Sequence, residues 1–178
     1  MNARSVKSDM RIRSLPRWKL RHYVRPGDIG YLIHLHGIVY AEEYGYDQTF
    51  EAYVAEGLSR FIRSFSPRRD RIWLVETNDL IIGSIAIVGH SKSKAQLRWF
   101  FVQPKYRGIG LGSKLLNETL RFCKQRNYKA VFLWTTSELS VAKHLFTGAG
   151  FRRTRRKTHR IWGKTITEER YDLNLRTG

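Results

Sequence analysis

The sequence predicts a single-domain α/β fold with three layers, in which a mixed central sheet of about six to seven strands carries helices on both faces. Two observations support this prediction. Strand and helix patterns follow one another in the order strand, two helices, three strands, helix, strand, helix, two strands, with one strand–helix–strand unit at the centre. The chain has 178 residues, of which 42% are hydrophobic, so its length suits one domain with a packed core.

The first half of the chain contains a short strand and two helices. Residues 23–25 are expected to close the strand, and Asp28 is placed to cap a helix that runs towards Glu43. Asp47 is placed to cap a second helix, whose apolar residues recur at spacings of three and four and so define one buried face. Ser66-Pro67 is expected to end that helix.

The middle of the chain predicts three strands. Residues 71–76 and 80–88 form an antiparallel pair, because Asn78-Asp79 lies between them at a hairpin-turn position. Residues 96–102 form the third strand, which Pro104 ends.

The remaining elements follow a glycine-rich loop. We expect a helix over residues 113–126, a strand over 130–134 and a short helix over 140–147. Residues 151–160 and 168–175 are expected to close the fold as an antiparallel pair.

The composition is strongly basic. There are 33 Lys and Arg residues against 15 Asp and Glu residues, which gives a formal net charge of +18. Such a charge indicates an anionic partner, for which nucleic acid, an acidic membrane surface and a polyphosphate ligand all qualify. The charge is concentrated in residues 1–17, which we expect to form an arm before a domain of residues 18–178, and in residues 152–164. For the second segment, a charged edge strand that resists aggregation is an equal alternative.

Several classes of protein are excluded by simple counts. Cys123 is the only cysteine, so a disulfide scaffold is excluded and a reducing, cytoplasmic location is expected. No apolar run reaches the roughly 18–20 residues that a membrane span needs. No metal site is predicted, because His34 and His36 are two residues apart and point to different sides of a helix.

The most informative segment is the loop between the third strand and the following helix. Gly108, Gly110 and Gly112 leave the main chain accessible and tolerate positive φ. The first turn of the new helix leaves N–H groups unbonded and carries about half a positive charge. The loop therefore predicts an anion site that suits a diphosphate group. It has neither the spacing of a Walker A loop nor that of a dinucleotide-binding fingerprint.

This segment also carries a resemblance. Arg107-Gly108-Ile109-Gly110-Leu111-Gly112, preceded by Val102-x-Pro104, resembles the Gln/Arg-x-x-Gly-x-Gly/Ala motif of the GCN5-related N-acetyltransferases, the GNAT family. Gly150-Phe151 resembles the pair that opens the sixth strand in that family. The resemblance covers residues 18–175.

A narrower likeness concerns the first helix. Residues 36–40 together with Glu43-Tyr44-Gly45 resemble the acetyltransferase domains that are sometimes fused to MarR-type regulators.

The resemblance implies an acyltransferase that transfers acetyl from acetyl-CoA to a primary amine by direct attack. Phe101 and Val102 would bind the pantetheine, and main-chain N–H groups near Val102 would polarise the thioester carbonyl. The diphosphate would lie on the loop and the start of the helix, at Arg107, Gly108, Ile109, Gly110, Leu111, Gly112 and Ser113.

Two positions depart from the family pattern. Phe146 stands where many members have a tyrosine that protonates the leaving thiolate, and Gln96 stands where many have a glutamate that serves as the general base. Three explanations stay open. In the first, catalysis rests on alignment of the reactants and on the oxyanion site alone, and alignment can supply about 7–11 kcal/mol. In the second, other residues replace the missing pair. In the third, the domain binds acetyl-CoA with little turnover.

Glu43 is the first candidate for a replacement base. It lies at the junction of the two N-terminal helices with Glu42, Asp47 and Glu51, and four acids there favour a small cationic amine or peptide as the acceptor. The alternative is that Asp47 is a helix cap and the others are solvated helix ends. Tyrosines in the same stretch either line the acceptor site, donate a proton or pack in the core; they are Tyr40, Tyr44 and Tyr46.

A second hypothesis comes from the charge. The chain would be a basic, nucleic-acid-associated or regulatory module that binds acetyl-CoA with little turnover. A homodimer formed through the basic C-terminal strand is compatible with either hypothesis.

Overall fold

The structure, a computed structural model, describes residues 17–175. The expected arm, residues 1–17, lies outside the described residues except for Arg17. In chain order the elements are β1 (Lys19–Arg21), α1 (Asp28–Tyr44), α2 (Gln48–Arg63), β2 (Arg71–Thr77), β3 (Leu80–Gly89), β4 (Lys94–Val102), α3 (Leu111–Gln125), β5 (Ala130–Thr136), α4 (Ser140–Gly148), β6 (Arg152–Ile161) and β7 (Lys164–Asn174).

The strands form one seven-stranded mixed sheet in the order β1-β2-β3-β4-β5-β7-β6. Neighbouring strands are antiparallel except β4 and β5, which are parallel. One core lies between the sheet and α3 with α4, and a second lies between the sheet and α1 with α2. The predicted three-layer α/β fold is confirmed. No helix within residues 17–175 has the length and apolar character to cross a membrane.

The start of the fold differs from the prediction. The first strand is Lys19–Arg21, and Gly27, not Asp28, caps α1. The carboxylate of Asp28 is drawn away from the helix because it accepts hydrogen bonds from the Arg21 guanidinium. The cap of α2 is confirmed, since Asp47 accepts a hydrogen bond of 2.9 Å from the N–H of Thr49.

A β-bulge interrupts β4. Ser84 pairs with Phe101 and Ala86 pairs with Arg98, so β4 has one residue more than β3 over the same span. Trp99 adopts φ +48°, and its carbonyl accepts a 2.7 Å hydrogen bond from Ser84 Oγ. Because an extra residue reverses the alternation of side chains, Leu97 packs on the α3 side while Trp99 packs beneath α1 and α2.

The two central strands separate soon after they meet. β4 and β5 pair only from Lys94↔Ala130 to Gln96↔Phe132, although β4 continues to Val102 and β5 to Thr136. Beyond Gln96, the edge of β4 that faces β5 has no strand partner among the described residues. This gap in the sheet is where ligands can reach the main chain.

A buried ion network ties β1, α1 and β2 together. Arg21 lies 2.7 Å from the Asp28 carboxylate and 2.8 Å from that of Glu76, and the Arg21 and Asp28 side chains are only 6% and 11% exposed. Burial by itself would raise the pKa of Asp28, but hydrogen bonds from Arg21 and from the N–H of Arg25 outweigh it, so the pKa lies below its ordinary value.

Replacing Asp28 with Asn is therefore expected to lower the free energy of unfolding by about 1–3 kcal/mol at pH 7. Since folding lowers the pKa of Asp28, its contribution is present above the unfolded-state pKa of about 3.9 and is lost as the pH falls through the lower folded-state pKa. Urea denaturation at pH 7 and at pH 3 measures both effects. Glu56→Gln is the control, because its pair with Arg60 is exposed. Equal losses for both variants at pH 7 would contradict the assignment.

Candidate active site

The gap between β4 and β5 opens into a cavity of about 600 Å³, the loop cavity. Its walls are the end of β4, the glycine-rich loop, the first turn of α3, and α4. Its lining residues include Phe101, Val102, Arg107, Gly108, Gly110, Leu111, Gly112, Ser113, Ser140 and His144. Of the nine residues predicted to bind acetyl-CoA, only Ile109 is not in this wall; it packs against the core on the α3 side.

The start of α3 presents unpaired main-chain donors. Within residues 17–175, the N–H groups of residues 108–113 donate no hydrogen bond, and the first bonded amide is that of Lys114, which donates to Gly110 O at 3.1 Å. Six consecutive N–H groups at a helix N-terminus form a strong site for a doubly charged anion. The loop cavity thus fits the diphosphate that the motif predicts.

Two of the loop glycines serve different purposes. Gly110 caps α3 with φ +82°, a conformation that side chains disfavour, and a Cβ built there would meet no protein atom within 4 Å. A Cβ on Gly112 would lie 3.0 Å from Leu145 Cδ1 and 3.2 Å from Phe100 Cζ. Gly110 therefore allows the turn, and Gly112 keeps the cavity open between β4 and α4.

Arg107 fastens the loop to the rest of the domain. Its Nε donates to Val102 O at 3.0 Å, and its two Nη atoms donate to the Glu43 carboxylate at 2.8 and 3.0 Å. A bidentate pair of this kind fixes both side chains in orientation. The pair joins the last turn of α1 to the glycine-rich loop.

A second cavity, of about 120 Å³, lies on the α1–α2 side of the same gap and is called here the aromatic cavity. It shares Tyr40, Phe100, Leu139 and Ala142 with the loop cavity, so the two meet at the gap. Its other lining residues include His36, Tyr46, Phe50, Tyr53, Gln96, Arg98, Trp99, Thr136, Phe146, Trp162 and Glu168.

The two departures from the family pattern, Gln96 and Phe146, both line the aromatic cavity. The Phe146 ring is buried against Phe100 and Phe151, at centroid distances of 5.5 and 5.9 Å. Neither side chain can exchange a proton at neutral pH. The cavity is therefore lined at these two positions by side chains that can serve neither as the general acid nor as the general base.

The four acids of the helix junction do not line either cavity. Glu43 is bound by Arg107, and Asp47 caps α2. A carboxylate oxygen of Glu51 lies against α1, 2.5 Å from where a Cβ of Gly37 would be. The structure thus removes the main reason for expecting a cationic acceptor.

His36 is a candidate residue that the sequence alone did not single out. It is buried, and its Nδ1 lies 2.8 Å from Leu32 O, which makes Nδ1 the protonated nitrogen. Nε2 then carries a lone pair, and it has no partner in the described part of the chain. Burial lowers the pKa of His36 to about 4, so the ring is neutral at pH 7.

The Tyr40 ring lies between His36 and Phe50, at centroid distances of 5.8 and 4.6 Å. Among the described residues, its hydroxyl makes no hydrogen bond, and burial raises its pKa well above the ordinary value. The tyrosine therefore stays protonated at the place where the two cavities meet.

Comparisons with known proteins agree with the resemblance found in the loop motif. Residues 34–151, well over half of the chain, match the Acetyltransferase (GNAT) family. Human N-acetyltransferase 8B is 22% identical over 99 residues, which cover 53% of this chain and 44% of that protein. An uncharacterized N-acetyltransferase of Schizosaccharomyces pombe is 27% identical over 118 residues, which cover 65% and 71%. The chain thus spans about half to two thirds of the length of such relatives.

Solved structures share the fold. An acetyltransferase of the GNAT family from Staphylococcus aureus superposes with a TM-score of 0.72 at 21% identity, covering 90% of this chain and 100% of that one. A GNAT acetyltransferase from Elizabethkingia anophelis with acetyl-CoA bound gives 0.63 at 16% identity, covering 89% and 98%.

The family match includes residues 34–44 of α1, the glycine-rich loop and the gap between β4 and β5. The match confirms the resemblance seen in the loop motif. At the level of the family, it also confirms the expectation of an acyltransferase that uses acetyl-CoA as its co-substrate. The chain belongs to the acetyltransferase (GNAT) family.

Proposed function

We propose that this chain transfers an acetyl group from acetyl-CoA to a primary amine by direct attack. The observation that carries the proposal is the meeting of two cavities at one gap in the sheet, one of them ending on six unpaired N–H groups. In the reaction, a C–N bond forms as the thioester C–S bond breaks. The amine loses one proton, and the CoA thiolate gains one.

The residues of the loop cavity would bind and align the donor. The N–H groups of residues 108–113 suit the diphosphate, and the unpaired edge of β4 at Phe101 and Val102 suits the amides of the pantetheine. Main-chain N–H groups near Val102 would also stabilise negative charge on the thioester oxygen, because they are fixed by the strand before the reaction begins.

Tyr40 is the proposed proton donor to the leaving thiolate. It lines both cavities, and its raised pKa keeps it protonated at neutral pH, so it holds a proton when the C–S bond breaks. Tyr40 would thus take the role of the tyrosine that many family members have at the position of Phe146.

Glu43 remains the proposed group that takes the amine proton. Its carboxylate is held by Arg107, so this role requires the ion pair to open when the acceptor binds. The homodimer and the cytoplasmic location also stay predictions.

A second proposed function uses the basic surface of β6. Its basis is that most of the basic residues of this strand have no acidic partner within residues 17–175. Along this edge strand, Arg153 and His159 lie 2.7 Å from Glu169 and Glu168. The other basic residues have no carboxylate partner within residues 17–175; they are Arg152, Arg155, Arg156, Lys157 and Arg160. This charge would bind a nucleic-acid backbone.

The diphosphate site is tested by thermal denaturation with acetyl-CoA. We expect the wild type to melt at a higher temperature in millimolar acetyl-CoA, and Gly110→Leu to lose that shift because the side chain enters the loop cavity. Gly27→Leu is a matched control, since Gly27 also caps a helix at positive φ with open space around it. A normal shift in Gly110→Leu would contradict the assignment.

The proton-transfer roles are tested by thiol release from acetyl-CoA against a panel of amines, measured across pH. Tyr40→Phe is expected to lower kcat by about 100-fold or more while the KM for acetyl-CoA stays unchanged. Glu43→Gln is expected to lower kcat while the KM for acetyl-CoA stays unchanged, because no carboxylate is left to take the amine proton. A Glu43→Gln variant that changes only the KM for acetyl-CoA would show that Glu43 holds Arg107 and carries no proton.

Nucleic-acid binding is tested by fluorescence anisotropy with a labelled duplex at several salt concentrations. The affinity is expected to fall linearly with salt on logarithmic axes, and the double variant Arg155→Glu/Arg156→Glu should bind at least tenfold more weakly. The double variant Lys124→Glu/Lys129→Glu changes the net charge by the same amount at two other exposed positions and is the control. No binding near 100 mM salt would remove this second function.

A further inference from the structure

The aromatic cavity contains a cation without a counter-ion. Arg98 lines it, and no carboxylate of the described residues lies within ion-pair distance of its guanidinium. The guanidinium carbon lies 4.5 Å from the centre of the Trp99 ring and 5.8 Å from that of Tyr53. Its Nη2 donates to Tyr53 Oη at 3.3 Å. Stacking on rings orients a guanidinium while leaving most of its N–H groups available.

The helix above this cation leaves room for it. A Cβ on Gly57, in the middle of α2, would lie 2.9 Å from Arg98 Nη2 and 3.1 Å from Trp99 Cζ2. Glycine inside a helix lowers its stability relative to alanine. Here the absence of a side chain lets Arg98 and Trp99 lie beneath the helix.

The acids nearest the aromatic cavity each have a basic neighbour. Glu138 lies 2.6 Å from Lys164 Nζ and accepts a hydrogen bond from Tyr46. Glu168, which lines the cavity, lies 2.7 Å from His159 Nε2 without a hydrogen bond between them. The polar groups that remain without partners on this wall are donors. Besides Arg98, the buried indole N–H of Trp99 has no acceptor among the described residues.

The opposite end of the cavity offers an acceptor. His36 Nε2 is buried and unpartnered, and its ring packs 4.9 Å from that of Phe101. Phe101 is three residues after Arg98 on β4, so the main chain at these two positions is no more than about 10 Å apart. The cavity therefore presents donors at one end, a neutral nitrogen lone pair at the other, and aromatic rings between them.

We infer that the acceptor is an amine that also carries a carboxylate or phosphate group, with Arg98 binding the acidic group and His36 accepting a hydrogen bond from the amine. The inference rests on the proposed acetyl transfer and narrows its substrate class. It differs from the expectation of a purely cationic amine, because the acids behind that expectation lie outside the cavity. The net charge of +18 acts in the same direction, since it attracts anionic molecules.

The test compares acceptors matched in shape but not in charge. The pairs are phenylalanine with phenylalaninamide and with phenethylamine, and phosphoethanolamine with ethanolamine. Binding is measured by calorimetry in the presence of CoA, which needs no turnover, and thiol release gives KM and kcat with acetyl-CoA. We expect at least one acidic amine to bind at least tenfold more tightly than its partner without the acidic group. Which pair responds tells carboxylate from phosphate.

Arg98 is tested in the same assays. Arg98→Gln is expected to raise the KM for the acidic amine by about 10- to 100-fold with little change in kcat, and to leave the acetyl-CoA thermal shift and the kinetics of the matched amine without an acidic group unaltered. The KM of Arg98→Lys for the acidic amine should lie between those of the wild type and Arg98→Gln, because lysine keeps the positive charge but cannot donate the two parallel hydrogen bonds of a guanidinium. Arg63→Gln, an exposed residue at the end of α2, is the control.

Two results would overturn the inference. One is equal binding, by the wild type, of amines with and without an acidic group, whether weak or tight. The other is an Arg98→Gln effect of the same size on both members of a pair. Failure of the proposed function is separate and recognisable, because acetyl-CoA would then give no thermal shift in the wild type.

Discussion

The separation of β4 from β5 after Gln96 is the constraint on which the rest of the site depends. A parallel pair in the middle of a sheet normally continues to the strand ends, because each unpaired buried N–H costs about 1–3 kcal/mol. Here three residue pairs are followed by a gap. The bulge at Trp99 changes the course of β4 at that point, and Ser84 Oγ holds the carbonyl of the bulged residue. Both cavities open from this one irregularity.

Side chains from α4 and α1 pack at the gap from its two sides. Phe146 of α4 packs against Phe100 on one side, and Tyr40 of α1 lies at the junction of the two cavities on the other. Arg107 and Glu43 link the glycine-rich loop to α1. A displacement of α1 would therefore reach the loop that presents the N–H groups, which couples the two halves of the site mechanically.

Local sequence signals predicted most helices and strands well. The features that they did not predict depend on tertiary contacts. Asn78 and Asp79 adopt φ +47° and +59°, as a tight hairpin requires, and Asp47 caps α2 as its position indicated. Asp28 looked equally suited to a cap, but Arg21 and Glu76 form a network with it that only the folded chain assembles. The local sequence indicates that Asp28 could cap a helix. It does not indicate that Arg21, seven residues earlier, binds the same carboxylate in the folded chain.

The same distinction explains the candidate site. The loop motif could be read directly, because its glycines act on their own main chain. The pairing of Glu43 with Arg107 joins residues 64 positions apart, and no local pattern indicates it. The stacking of Arg98 on Trp99 depends on the bulge, which brings these two consecutive residues of β4 to the same face of the sheet.

The central claim is that unpaired main-chain amides at the start of α3 bind the diphosphate of the donor. Amide NMR spectra of the ¹⁵N-labelled protein, recorded as CoA is added, test it most directly. The account predicts that the largest shifts occur at residues 108–113, with smaller shifts at Phe101 and Val102. Saturable binding that leaves the amides of residues 108–113 unchanged would contradict it.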